Sequence, residues 1–171
     1  MKNIKIFLIL LIVILVVPIK SYSLIEVDIT RGNLNPLPVA VSPLSIDEAS
    51  KKSFESLLKK KNIGEEISSI VENNLRTSGL FNPLSKDAFL QAPDIANLKP
   101  RFEDWNLIKA QALITGKVTS IEDKLRVEFR LWDVLAGKEM MALAFTTVPT
   151  NWRRVGHIIT DKVYERLTGE K

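Results

Sequence analysis

The chain has 171 residues, with 24 Lys+Arg against 20 Asp+Glu, one histidine and no cysteine. The missing thiols exclude disulfide frameworks, thiol nucleophiles, thiolate metal sites and the lipid-bearing cysteine of a bacterial lipoprotein, and a lone imidazole excludes a His-rich metal centre. The length suits one compact domain.

The first 23 residues stand apart from the rest. Their only charges are Lys2, Lys5 and Lys20, and they hold an unbroken apolar run from Ile6 to Val17. That run is shorter than the roughly 20 residues needed to span a bilayer, but it fits the apolar region of a secretory signal. Ser21-Tyr22-Ser23 supplies small residues where a signal peptidase reads. Cleavage after Ser23 is therefore expected, leaving residues 24–171 as one soluble, exported domain. Against stable membrane insertion, Pro18 and Lys20 interrupt the run and no second apolar segment follows. Without the leader, 21 basic residues face 20 acidic ones. The basic excess therefore belongs mostly to the leader and is no nucleic-acid footprint.

Leu24 to Thr30 alternates Ile25, Val27 and Ile29 with Glu26, Asp28 and Thr30, the period of a half-buried strand, and Arg31-Gly32-Asn33 makes a turn. Val39-Ala40-Val41, apolar on both faces and bounded by prolines, reads as a central strand covered from two sides. In 46–61, Phe54, Leu57 and Leu58 form an apolar stripe beside five lysines, which fits either a helix or a mobile insertion. Asn62 with Glu65 resembles a capping box, and Ile63, Ile67, Ile70, Val71 and Leu75 then recur at helical spacing until Gly79. Leu80 to Leu84 should be a short edge segment because Pro83 cannot donate to a ladder. Residues 91–100 read as loop.

Three strands follow, at 112–120, 124–135 and 139–148, joined by tight turns at Glu122-Asp123 and Ala136-Gly137. They predict an antiparallel meander. Its second strand alternates Leu125, Val127, Phe129 and Leu131 with charged residues, whereas Met140 to Phe145 is apolar on both faces and so reads as more central. A last helix from Asn151 to Leu167 turns Trp152, Val155, Ile159, Val163 and Leu167 inward and stops at Gly169. All seven glycines read as punctuation between segments. The predicted fold class is α/β, a mixed five-stranded sheet with helices on both faces.

Catalytic signatures are sparse. His157 lies about 200° around its helix from Val155, away from the apolar stripe, and reads as a solvated surface histidine. The acid pairs at 47–48, 65–66, 103–104 and 122–123 point apart, and two of them flank helix starts, where the dipole favours negative charge. Gly116-Lys117 lacks the upstream glycine and following Ser or Thr of a phosphate loop. Glu128 divides the Lys124, Arg126, Arg130 face, so nucleic-acid binding is not expected. Trp105, Trp132 and Trp152 read as packing residues. No cofactor, metal or enzymatic activity is expected. The Leu24 to Thr30 strand differs, because cleavage would place it at a free terminus, where it could pair with a sheet edge of another protein.

Several segments carry a family resemblance: Ile25 through Gly32, Pro38-Val39-Ala40-Val41, Leu75 through Phe81, Leu113 through Val118, Arg130 through Val134, and Arg154-Val155-Gly156-His157 with Asp161 through Gly169. Together they resemble the amino-terminal domain of the TolB family, periplasmic proteins of the Tol-Pal system. The resemblance covers nearly all of residues 24–171, and the closing segment is its most specific piece. It implies an α/β sandwich related to anticodon-binding domains, periplasmic location, and a role in outer-membrane integrity and invagination during cell division. It also implies contact with the C-terminal domain of TolA through Leu24, Ile25, Glu26, Val27, Asp28, Ile29, Thr30, Arg31 and Gly32. The family's β-propeller carries the Pal surface and would begin near Lys171, so Pal is an expected partner only if a propeller follows. Segment 46–61 is longer than the family usually has. The alternative reading is a periplasmic binding domain for a small molecule or cell-wall component, which a pocket of convergent polar groups would favour.

Overall fold

In the computed structural model, the described residues are 35–60 and 62–170. The leader and the Leu24 to Gly32 segment lie outside them. The described elements are β1 (Leu37–Val41), β2 (Ser45–Ile46), α1 (Glu48–Leu58), α2 (Ile63–Thr77), β3 (Phe81–Pro83), α3 (Pro93–Leu98), α4 (Phe102–Leu107), β4 (Ala112–Ile121), β5 (Lys124–Asp133), β6 (Lys138–Thr147) and α5 (Trp152–Thr168). Single 3₁₀ turns at Lys86–Ala88 and Pro149–Asn151 precede α3 and α5.

One mixed sheet organises them, with order β3-β1-β4-β5-β6 and β2 also pairing with β4. β1 runs parallel to β3 and β4, whereas β4, β5 and β6 form the expected antiparallel meander. The β4–β5 turn places Glu122 at φ 48° and Asp123 at φ 58°, the two left-handed positions of a hairpin turn whose twist matches its strands. β1 is central, as its two-sided apolar character predicts. Val39 and Val41 enter one apolar cluster and Ala40 the other. Among the described residues β3 is a sheet edge, consistent with Pro83.

On one face lie α2 and α5. The sequence of α2 is rich in β-branched residues and asparagine, which are weak helix formers at up to about 0.7 kcal/mol each relative to alanine. Burial decides the outcome: Ile63, Ile67, Val71 and Leu75 are all enclosed, each contributing about 1.5–3 kcal/mol. Asn62 caps the helix, its Oδ1 accepting from the Glu65 N–H at 3.4 Å and its Nδ2 donating to Glu65 Oε2 at 2.8 Å. In α5 the inward stripe Trp152, Val155, Ile159, Val163, Leu167 is buried as expected, and Gly169 closes the helix at φ 75°. Segment 46–61 contains a helix, α1, which buries Phe54 but leaves Leu57 47% exposed. That helix is held to β4 by the Ser120 N–H donating to Ser50 Oγ at 2.9 Å.

The opposite face is covered by α3 and α4, which the sequence reading placed in loop or left unassigned. Each has six residues, too short to display a helical period. Tertiary contacts fix them: Ala96 and Trp105 pack with Ala40, Leu113 and Val134 in the second cluster. Gln91 organises this segment from within. Its Oε1 accepts from Trp105 Nε1 at 3.1 Å and the Arg101 N–H at 3.0 Å, while its Nε2 donates to Lys99 O at 3.0 Å.

Two further expectations are corrected. β6, read as more central, is the outer strand, paired only with β5 among the described residues. Its two-sided apolar composition does not record which strands neighbour it. Gly116 and Gly156 lie inside β4 and α5 and do not punctuate segments. A Cβ at Gly116 would run into Glu128 O and approach Leu44 Cδ2 to 2.6 Å. The glycine makes room for Leu44, where the chain crosses from β1 to β2.

Candidate interaction surface

The nine expected partner-binding residues, Leu24 to Gly32, fall outside the described residues. The first described residue of the sheet is Leu37, whose N–H donates to Leu80 O at 2.9 Å. From there β1 pairs in parallel with β3 on one side and β4 on the other.

The residues first weighed for catalysis are engaged in folding. Asp47 is the N-cap of α1, accepting from the Ser50 N–H at 2.9 Å and from Ser50 Oγ at 3.1 Å. The Ser50 backbone bond holds its carboxyl below the ordinary value of 3.8, assisted by the Ser50 hydroxyl and the charge of Lys117 and opposed by partial desolvation. Glu48, Glu65, Glu66, Glu103 and Asp104 occupy first helical turns, where they complement the dipole. Among the described residues no three His, Cys, Asp or Glu side chains gather in a group able to hold a metal ion.

His157 does have a partner, which its spacing on α5 gave no sign of. Its Nδ1 lies 2.8 Å from Asn74 Nδ2, so the amide donates to the ring, and the same amide approaches Thr160 Oγ1 at 3.3 Å. The pair bridges α5 and α2 at the surface. The expected division of the basic strand face is also present. Arg126 is bound to Glu128 at 2.8 Å, and Arg130 to Glu139 at 3.3 Å. Trp105 is buried, Trp152 nearly so, and Trp132 is half-buried with Nε1 donating to Thr115 Oγ1 at 2.9 Å.

Two surface grooves are relevant to binding. One, of about 440 Å³, runs between β6 and α5 and is lined by Ala144, Phe145, Thr146, Thr147, Asn151, Arg154, Val155 and Ile158. The other, of about 350 Å³, lies between the start of α1 and α3, where Asp47, Glu48, Asp94 and Lys117 converge beside Leu98. No helix of the described residues is long and apolar enough to cross a membrane.

A mixed sheet with helices on both faces and, among the described residues, one long strand edge without a neighbour defines an α/β domain of the kind that presents edges and grooves. The sequence matches the family model of the TolB amino-terminal domain over residues 25–140, and the chain belongs to that family. It is 79% identical over 162 residues to the Tol-Pal system protein TolB of Pelagibacter ubique (strain HTCC1062), covering 95% of this chain and 36% of that protein. The chain thus spans about a third of the length of this curated relative. Among solved structures, TolB from Acinetobacter baumannii superposes with a TM-score of 0.61 at 22% identity, over 79% of this chain and 29% of that one. The hypothetical protein CT253 from Chlamydia trachomatis gives 0.50 at 13% identity, over 78% of this chain and 99% of that one. At these identities the two structures bear on fold alone, and both agree with an α/β domain.

Proposed function

We propose that the chain is a periplasmic, non-enzymatic interaction module of the Tol-Pal system, supporting outer-membrane integrity and its invagination during cell division. On this reading it binds the C-terminal domain of TolA through Leu24 to Gly32, which adds as a strand to an edge of the partner's sheet. The observation carrying the reading is the family match, which begins at residue 25, inside that segment. The alternation of Ile25, Val27 and Ile29 with Glu26, Asp28 and Thr30 supports it chemically. Main-chain bonds would supply affinity and alternate side chains the register. Pal becomes a partner only where a propeller follows the domain.

Calorimetric titration with the TolA C-terminal domain tests the reading. Deleting residues 24–30 abolishes binding while the fold stays cooperative. Val27→Pro acts in the same direction, since it removes a ladder donor and restricts the chain. Unchanged affinity in both variants would refute the terminal strand as the contact. Mass spectrometry of the periplasmic fraction is expected to find Leu24 as the first residue.

The alternative, a binding domain for a small molecule or cell-wall component, draws on the groove where Asp47, Glu48, Asp94 and Lys117 converge. Asp47 is committed there to capping α1, which weakens that reading.

A further inference from the structure

β6 has the composition of a strand with neighbours on both sides, yet among the described residues only β5 pairs with it. From Met140 to Thr147 it holds no charge and no proline. Natural sheets blunt open edges with charges, prolines, bulges or cover, because a flat uncharged edge recruits another strand. Here the protection is confined to the near end. Lys138 and Glu139 start the strand, its register shifts opposite Leu131 and Trp132, and Arg166 Nε donates to Met140 O at 3.3 Å. Among the described residues the stretch 142–147 has no such protection.

We propose that this stretch of β6 accepts an extended acidic peptide segment of a partner protein as a further strand, with a peptide carboxylate held by Arg154. The groove of about 440 Å³ beside it has the features such a ligand needs. Phe145, Val155 and Ile158 give an apolar floor for alternate side chains of the added strand. Thr146, Thr147 and Asn151 line its polar end, where Asn151 Nδ2 already donates to Thr147 Oγ1 at 3.1 Å. Arg154 is the one charged residue of the lining and has no hydrogen bond or ion pair with any described residue.

A second cation stands beside Arg154, and the acid nearest in register, Glu128 opposite Ala144, is already bound to Arg126 at 2.8 Å. Arg153 stacks on Trp152, its guanidinium 4.4 Å from the ring centroid, and the first turn of α5 contains no acid. Two arginines at the positive end of a helix are unfavourable in isolation. A carboxylate placed there relieves that repulsion.

Other occupants fit less well. A second copy pairing β6 with β6 would offer Arg154 only the Lys138–Glu139 end, and that glutamate is already engaged by Arg130 at 3.3 Å. The chain's own segment before Thr30 would have to cross four strand spacings from Leu37, about 19 Å. The seven steps from Thr30 to Leu37 reach about 25 Å fully drawn out, and the 142–147 stretch also lies well along the sheet from Leu37, since Val39 is level with Ala112, Asp133 and Lys138.

The experiment uses the ¹⁵N-labelled exported chain and two ten-residue peptides of alternating Val and Thr, one ending in two Asp and one in two Lys. The acidic peptide is expected to shift and protect amides of 142–147, and to bind at least about tenfold more tightly than the basic one. Arg154→Glu reverses that preference while leaving the fold and thermal midpoint close to wild type, since Arg154 is exposed. Deleting residues 24–30 leaves acidic-peptide binding unchanged, which separates this site from the terminal strand of the proposed function. The proposal is overturned if the acidic peptide fails to bind, if Arg154→Glu leaves the preference intact, or if the shifts fall elsewhere. Tighter binding after the deletion would instead assign the groove to the chain's own terminus. Concentration-dependent dimerisation protecting 142–147 would assign it to a second copy.

Discussion

Gly156 of α5 lies so close to Ile70 of α2 that a Cβ on the glycine would come within 2.9 Å of Ile70 Cγ2 and 3.0 Å of its Cβ. The two helices over the main face of the sheet meet here with no room for a methyl group. Glycine inside a helix costs about 1 kcal/mol relative to alanine, and here it is what permits the close approach.

Gly156→Ala is therefore expected to destabilise the domain by about 1–2 kcal/mol, because overpacking against a branched side chain outweighs the gain in helix propensity. Denaturant titration measures it. Ile70→Ala in the same chain should recover part of the loss, giving a non-additive double-mutant cycle. A stabilising Gly156→Ala would show that the helices can move apart freely.

Ser68 is buried on α2, and its hydroxyl serves the break between β1 and β2. Its Oγ accepts from the Leu44 N–H at 2.9 Å and stands 3.1 Å from Ser42 O and 3.0 Å from Gly64 O, either of which can take its proton. Ser68→Ala orphans a buried backbone donor, at a cost of about 1–3 kcal/mol. Hydrogen exchange is expected to quicken most at Leu44. Exchange there at the wild-type rate would mean that another acceptor has replaced the hydroxyl.

Gln91→Leu keeps most of the side-chain volume but strands Trp105 Nε1 and the Arg101 N–H, both of which now donate to Gln91 Oε1. The expected loss is about 2–3 kcal/mol, concentrated in residues 89–107. Trp105 fluorescence reports it as partial exposure at denaturant concentrations where the α2–α5 face is still folded. Unfolding of both faces at one midpoint would show that the two apolar clusters are a single cooperative unit.

The Asp47 cap sets a pH dependence. Its carboxyl titrates below 3.8 in the folded chain, so its contribution is complete above the unfolded-state value and fades as pH falls through the lower folded value. Asp47→Ala should cost about 1 kcal/mol at neutral pH. The gap between variant and wild type should shrink in acid below the ordinary carboxylate range. A constant gap across pH would mean that the charge of the carboxylate plays no part in the cap.

The long helices were readable from the chain because each buries one face of a regular period. Ile63, Ile67, Val71, Leu75 and Trp152, Val155, Ile159, Val163, Leu167 announce α2 and α5 without knowledge of what they pack against. The meander was readable for a similar reason, since its turns and alternation are local. The family was legible too, from segments spread over most of the chain. Contacts distant in sequence were not. α3 and α4 have fewer than two turns each and are held by Gln91 and by the far side of the sheet. The bond between Asn74 and His157 joins residues 83 positions apart. Gly116 and Gly156 looked like punctuation because composition shows the absence of a side chain but not the neighbour that requires it. The position of β6 was decided last, by strand order. An apolar strand looks the same in sequence whether it has one neighbour or two, and only the assembled sheet shows that, among the described residues, β6 has one.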